Sequence, residues 1–152
     1  MLLKEIVLKI IPYNSPEYHE SFRIREEILM KPFGKSYNQV PEDMAQEPNR
    51  IHFAGLLDNQ VVATASLIDQ GSTAWLRSVA VIPQLQSQGI GKQLLAFIES
   101  YATQKGYQEL YCHARDTAVN FYLKNGWRTE GGYFQKVGIA HIAMRKKLAE
   151  YS

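Results

Sequence analysis

The chain has a single cysteine, Cys112, in 152 residues, which excludes an internal disulfide and fits a reducing compartment. It also has almost no net charge, since 17 Lys and Arg against 15 Asp and Glu leave +2. The one basic cluster, residues 145–147, reads as a solvated strand end, so no nucleic-acid partner is expected. No run approaches the roughly 18 uninterrupted apolar residues of a membrane helix. The first eleven residues carry Lys4, Glu5 and Lys9 inside their apolar pattern and do not read as a secretion signal. The expectation is therefore a cytoplasmic protein with no membrane partner and no metal site. There is no internal repeat, linker or low-complexity stretch. What is present is a globular composition, 45% hydrophobic and 21% charged, long enough for one domain over residues 1–152.

Residues 5–11 are β-branched and apolar, a first strand that Pro12 stops. Residues 14–30 read as a helix with Ser15 as cap, Pro16 at the first position, and Phe22, Ile24, Ile28 and Leu29 on its apolar face. Residues 31–49 hold three prolines and little periodicity. They read as loop with one short helical piece at 42–46, and so long a loop is expected to shape a substrate pocket. Strands follow at 51–57, 61–68 and 73–82, joined by turns at Asp58-Asn59-Gln60 and Gln70-Gly71-Ser72. A helix at 92–105 leads to a strand at 109–114 that should run parallel to the strand before the helix. Asp116 caps a short helix at 117–124, Asn125-Gly126 ends it, and strands at 127–134 and 139–147 close the chain. The fold class is α+β (mixed α/β): one mostly antiparallel sheet of about seven strands, with one parallel pair and flanking helices.

The stretch with the most chemical content is "VAVIPQLQSQGIG", residues 79–91. An apolar strand ends at Pro83, a polar turn follows, and Gly89 and Gly91 open a helix. Glycines let backbone approach a diphosphate closely, and a helix start supplies bare N–H groups at a positive terminus. One residue separates the glycines, where a P-loop needs four, and Gln93 stands after Lys92 in place of Ser or Thr. Leu94 occupies the third-glycine position of a dinucleotide fingerprint. On its own the turn is equally an ordinary strand-to-helix connection.

The turn resembles motif A of the GNAT superfamily of acyl-CoA N-acyltransferases, Gln/Arg-x-x-Gly-x-Gly/Ala after an apolar strand. "DTAVNFYLKNGW", residues 116–127, is similar to the family's motif B, and "GIAHIAM", residues 138–144, resembles the ElaA/YjcF-like branch. The resemblance implies a GNAT-like fold with acetyl-CoA as co-substrate. It further implies that Val79, Ala80 and Val81 offer backbone to pantetheine and that Gln86, Ser87, Gln88, Gly89, Ile90, Gly91 and Lys92 hold the pyrophosphate. Asn120 stands where family members contact the cofactor. Tyr122 would protonate the departing CoA thiolate, since a phenol of reference pKa about 10 keeps its proton at neutral pH.

No carboxylate lies in "AWLRSVAV", where some relatives place a base. His52, His113, His141, Asp43 and Glu130, the last two through water, stay open for that role. A Cys112–His113 nucleophilic pair is disfavoured because neighbouring strand residues face opposite ways. The implied activity is acetyl transfer to a primary amine by direct attack. A non-catalytic acyl-CoA sensor or interaction module is the alternative, and a phosphate-binding enzyme of another family a third. The acceptor is a small molecule or peptide amine, and its site is expected in variable loops, here residues 31–49 and the C-terminal hairpin, with Phe33, Tyr37, Tyr133 and Phe134 as candidate lining. A homodimer is the commonest assembly and stays open.

Overall fold

The protein is described here by a computed structural model covering residues 5–149. The expectation about a leader in the first eleven residues falls partly on residues 1–4, outside that range. The strands are β1 (Val7–Ile11), β2 (Ile51–Leu57), β3 (Gln60–Gln70), β4 (Thr73–Val81), β5 (Glu109–Arg115), β6 (Arg128–Lys136) and β7 (Ile139–Lys147). They form one sheet in the order β1-β2-β3-β4-β5-β7-β6, in which β4 and β5 run parallel and the β1–β2, β2–β3, β5–β7 and β6–β7 pairs antiparallel. The helices are α1 (Pro16–Arg25), α2 (Pro41–Met44), α3 (Ile90–Gln104) and α4 (Val119–Lys124). The α+β class and the seven-stranded sheet thus agree with the sequence reading. Chain contacts divide the described residues into two compact units, 5–68 with 78–98, and 69–77 with 99–149.

In the first unit, Ser15 caps α1 by accepting from the Tyr18 N–H at 3.2 Å, and Pro16 fills a position whose N–H would be unpaired anyway. The helix then widens into a π-turn at Glu26–Met30. Residues 31–49 are not the loop expected from their prolines. Pro32, Pro41 and Pro48 each open a single helical turn, at Lys31–Phe33, Pro41–Met44 and Glu47–Asn49. A fixed φ and a missing N–H break a helix interior but suit a first turn, so proline here starts structure.

The β2–β3 hairpin closes through Asp58 and Asn59, both left-handed at φ 51° and 62°, the pattern of a turn that matches strand twist. Ile11, Tyr18, Ile24, Ala54, Leu56 and Val61 form this unit's core, with Phe22, Ile28 and Ile82 packed on it. Leu94, Leu95 and Ile98 of α3 are buried as well. Each such side chain contributes about 1.5–3 kcal/mol relative to exposure.

In the second unit, the parallel register joins Thr73–Leu76 to Glu109–Cys112 over four residue pairs. Along β5 burial alternates, with Leu110, Cys112 and Ala114 inside and Tyr111, His113 and Arg115 on the opposite face. Asp116 does not cap α4. It begins a separate 3-10 turn, Asp116–Ala118, where its carboxylate accepts from the Thr117 N–H at 2.9 Å. Gly126, at φ 88°, ends the helix as expected, because only a left-handed residue turns the chain there without strain.

Candidate active site

The turn after β4 is built from backbone. Ser78 within β4 is left-handed at φ 57°, and its carbonyl accepts from the Thr64 hydroxyl at 3.0 Å. The Ile82 N–H then bonds the Val62 carbonyl at 3.0 Å, which fixes the end of the strand. Gln86 reaches back with its side-chain amide to the Val81 carbonyl at 3.0 Å, tying the turn to that strand. Ser87 and Gly89 are left-handed at φ 68° and 82° on either side of Gln88, which is not, an alternation of the kind that anion nests use.

Helix α3 begins at Ile90, two residues earlier than its pattern suggests. The Gln93 N–H bonds the Gly89 carbonyl at 3.1 Å. Gly91 therefore sits inside the first turn. The N–H groups of Ile90, Gly91 and Lys92 are those a helix start leaves without an i−4 partner. A Cβ built on Gly89 meets nothing within 4 Å, so the space over the turn is open to a ligand. Gln86, Ser87, Gln88, Gly89 and Lys92 are exposed, Val79, Val81 and Gly91 half-buried, and Ala80 and Ile90 buried.

In the second unit, α4 places Asn120 at the surface and buries Tyr122 beside Trp127, their rings 5.1 Å apart. Burial, with Cys112 nearby, raises the Tyr122 phenol well above its usual range, so it stays protonated. Burial pushes the Cys112 thiol up to about 12. It is no thiolate at neutral pH, which removes the basis for a Cys–His pair.

Each base candidate has at least one partner. Asp43 is ion-paired with Arg50 at 2.6 Å, and Glu130 with Arg145 at 2.5 Å. His52 is buried, sits 2.8 Å from the Glu47 carbonyl, and is lowered by that burial. His113 lies between the Tyr111 hydroxyl (2.9 Å from Nε2) and the Lys136 ammonium (3.1 Å from Nδ1). The ammonium can only donate, so Nδ1 accepts, Nε2 carries the proton, and the ring is neutral. Burial first, then Lys136, Arg77 and His141, lower His113 to about 4. His141 donates from Nδ1 to the Ile139 carbonyl at 2.7 Å and is lowered chiefly by burial.

The family model described as Acetyltransferase (GNAT) domain matches residues 23–148. The chain belongs to the GNAT acetyltransferase family. Among relatives, the uncharacterized N-acetyltransferase YjcF of Bacillus subtilis is 23% identical over 90% of this chain and 97% of its own length. A candidate N-acetyltransferase from Lactobacillus plantarum superposes with a TM-score of 0.82 at 25% identity, covering 94% of this chain and 99% of that one. A GNAT family acetyltransferase from Elizabethkingia anophelis with acetyl-CoA bound shares the fold at a TM-score of 0.71 and 19% identity, covering 94% and 98%.

Within this GNAT chain, sequence reading singled out His113, His141 and Phe134 one by one but missed the face they form with Trp75, Arg77 and Lys136. Its residues come from four strands, and only the register brings them together. The alternation of Trp75 with Arg77 and of Tyr111 with His113 was the one local signal.

Proposed function

We propose that the protein transfers an acetyl group from acetyl-CoA to a primary amine by direct attack. The observation that carries this reading is the turn after β4, where left-handed Ser87 and Gly89 gather N–H groups at the start of α3 beneath open space. Such a nest at a helix N-terminus suits a diphosphate. The relative with acetyl-CoA bound supports coenzyme A as its source. Gln86, Ser87, Gln88, Gly89, Ile90, Gly91 and Lys92 hold the pyrophosphate. The backbone of Val79, Ala80 and Val81 runs along the pantetheine, and Asn120 adds a contact.

The amine nitrogen attacks the thioester carbonyl carbon, forming the C–N bond. As the C–S bond breaks, sulfur takes the Tyr122 hydroxyl proton. The phenolate recovers a proton from the attacking nitrogen through water. A buried phenolate is costly, so that return must be prompt, in keeping with the raised Tyr122 pKa. Holding thioester and amine together supplies much of the rate.

The test follows thiol release from acetyl-CoA with a panel of primary amines. Tyr122→Phe should lower kcat by about 100-fold while leaving acetyl-CoA affinity nearly unchanged. An unchanged kcat would remove Tyr122 from the mechanism. Tight acetyl-CoA binding with no release for any amine would establish a sensor instead.

A further inference from the structure

In the second unit one face of the sheet is lined with rings. Trp75 of β4 lies edge-on to His113 at 5.0 Å, His113 to Phe134 at 4.9 Å, and Phe134 stacks on His141 at 6.0 Å. Two cations rest on this surface: the Arg77 guanidinium is 4.6 Å and the Lys136 ammonium 5.4 Å from the Trp75 ring centroid. Lys136 also donates to His113 Nδ1. Trp75, Arg77, His113, Phe134 and Lys136 are all half-buried, so the face is shaped but reachable. The Trp75 indole N–H is buried with no hydrogen-bond partner among the described residues.

The acids of this face gather at its other end. Glu130 pairs with Arg145 at 2.5 Å, and Glu109 lies 3.6 Å from Arg128 and 3.9 Å from Arg145. Beyond its burial, His113 is lowered by Lys136 and Arg77, so both cations act on this ring, while Asp116 acts in the opposite sense on His141.

We propose that the Trp75–His113–Lys136 face binds the anionic group, a carboxylate or a phosphate, of the amine acceptor. The inference rests on the acyl-transfer reading and narrows its acceptor to amines that carry a negative charge. Lys136 and the indole N–H are donors suited to such an anion. The same cations disfavour an ammonium. An acceptor tethered by its anion therefore presents its nitrogen as the neutral nucleophile, which lessens the need for a carboxylate base.

The test uses N-acetylated acceptor analogues, which need no catalysis to bind. The isotopically labelled full chain is titrated with N-acetylglycine, N-acetyl-2-aminoethyl phosphate or the neutral N-acetylglycinamide. The indole N–H resonances of the two tryptophans are followed, with Trp75→Phe assigning one of them. One or both anions should shift the Trp75 signal saturably, their ranking separating carboxylate from phosphate, while the neutral amide at equal concentration leaves it in place. Lys136→Gln should weaken the bound anion by about tenfold, and Lys136→Arg should retain it. Equal binding of the neutral amide, no shift with either anion, or full affinity in Lys136→Gln would overturn the proposal. Thiol release separates the two readings. Turnover of glycinamide as efficient as that of glycine and 2-aminoethyl phosphate would overturn the anion preference and leave acyl transfer standing. Anion binding with no release for any amine would overturn acyl transfer, and with it the acceptor role of the face.

Discussion

Both units stack cations on aromatic rings, and what those cations reach next differs. In the first, the Arg25 guanidinium lies 5.3 Å from the Phe22 ring and 4.9 Å from the Tyr37 ring and grips both oxygens of Glu47, at 2.6 and 3.3 Å. Glu47 also accepts from Tyr18 and Arg50, each at 2.7 Å, and Arg50 continues to Asp43 at 2.6 Å. Arg25, Glu47 and Arg50 are no more than 5% exposed. In the second unit, Arg77 and Lys136 lie on an indole and Lys136 donates to an imidazole, all half-buried. Buried charges that close on carboxylates work as a staple, here tying α1 to the turn before β2. Cations laid over half-buried rings stay within reach of solvent.

The largest effect that would test this contrast is Glu47→Ala. It leaves two buried guanidinium groups facing each other without their shared carboxylate. Removing one partner of a buried ion pair typically destabilises by about 3–5 kcal/mol. For a chain of this length that lowers Tm by about 10 °C or more, readable in a thermal melt. A loss under about 1 kcal/mol would show that the network is ornamental and that the two regions do not differ in kind.

Acid separates the regions next. His113 has a folded pKa near 4 against about 6.5 unfolded, so below pH 6.5 the unfolded chain gains a proton that the folded chain does not. Stability is thus lost as pH falls from 6.5 to 4. Allowing for solvent screening of a half-buried ring, the His113 share is on the order of 1–2 kcal/mol. Glu47 behaves differently. Burial alone would raise it, but Arg25, Tyr18 and Arg50 hold it below its usual value, so its contribution persists until pH falls below the carboxylate range. Denaturant titrations from pH 7 to 4 should show a shallower decline for His113→Gln than for the parent. Parallel curves would place the sensitivity on His52 or His141, which burial also lowers.

The same contrast explains what could be read in the sequence. Features closed within a few residues were legible: the Ser15 cap, the Asp58-Asn59 turn, Gly126 after α4 and the left-handed Gly89 ahead of α3. Where one local rule met another, reading slipped. Gly91 looked like a residue before the helix yet lies in its first turn, where a small residue is tolerated, and the prolines of residues 31–49 start turns that they were expected to prevent. Arg25 and Glu47 are 22 residues apart, and Lys136 and His113 are 23. No periodicity announces such partners, because only the folded path of the chain brings them together.

The smallest effect is also the sharpest. If the Trp75 face is a recognition surface and not a second staple, Lys136→Gln should cost less than about 1 kcal/mol in a denaturant titration. A half-exposed ammonium gives up little Coulomb energy when neutralised, and glutamine keeps most of its stem's packing. Burial is the main cause that holds His113 neutral and Lys136 the next, so neutralising Lys136 should raise the His113 pKa part of the way from about 4 toward 6.5 in a histidine titration followed by magnetic resonance. The two readouts are coupled in sign: little change in stability near pH 7, and a gain relative to the parent as the solution is made acidic. A staple would behave in the opposite way, losing stability at every pH as Glu47→Ala does. Lys136→Gln measured beside Glu47→Ala therefore decides whether the two clusters of cations on rings serve two purposes or one.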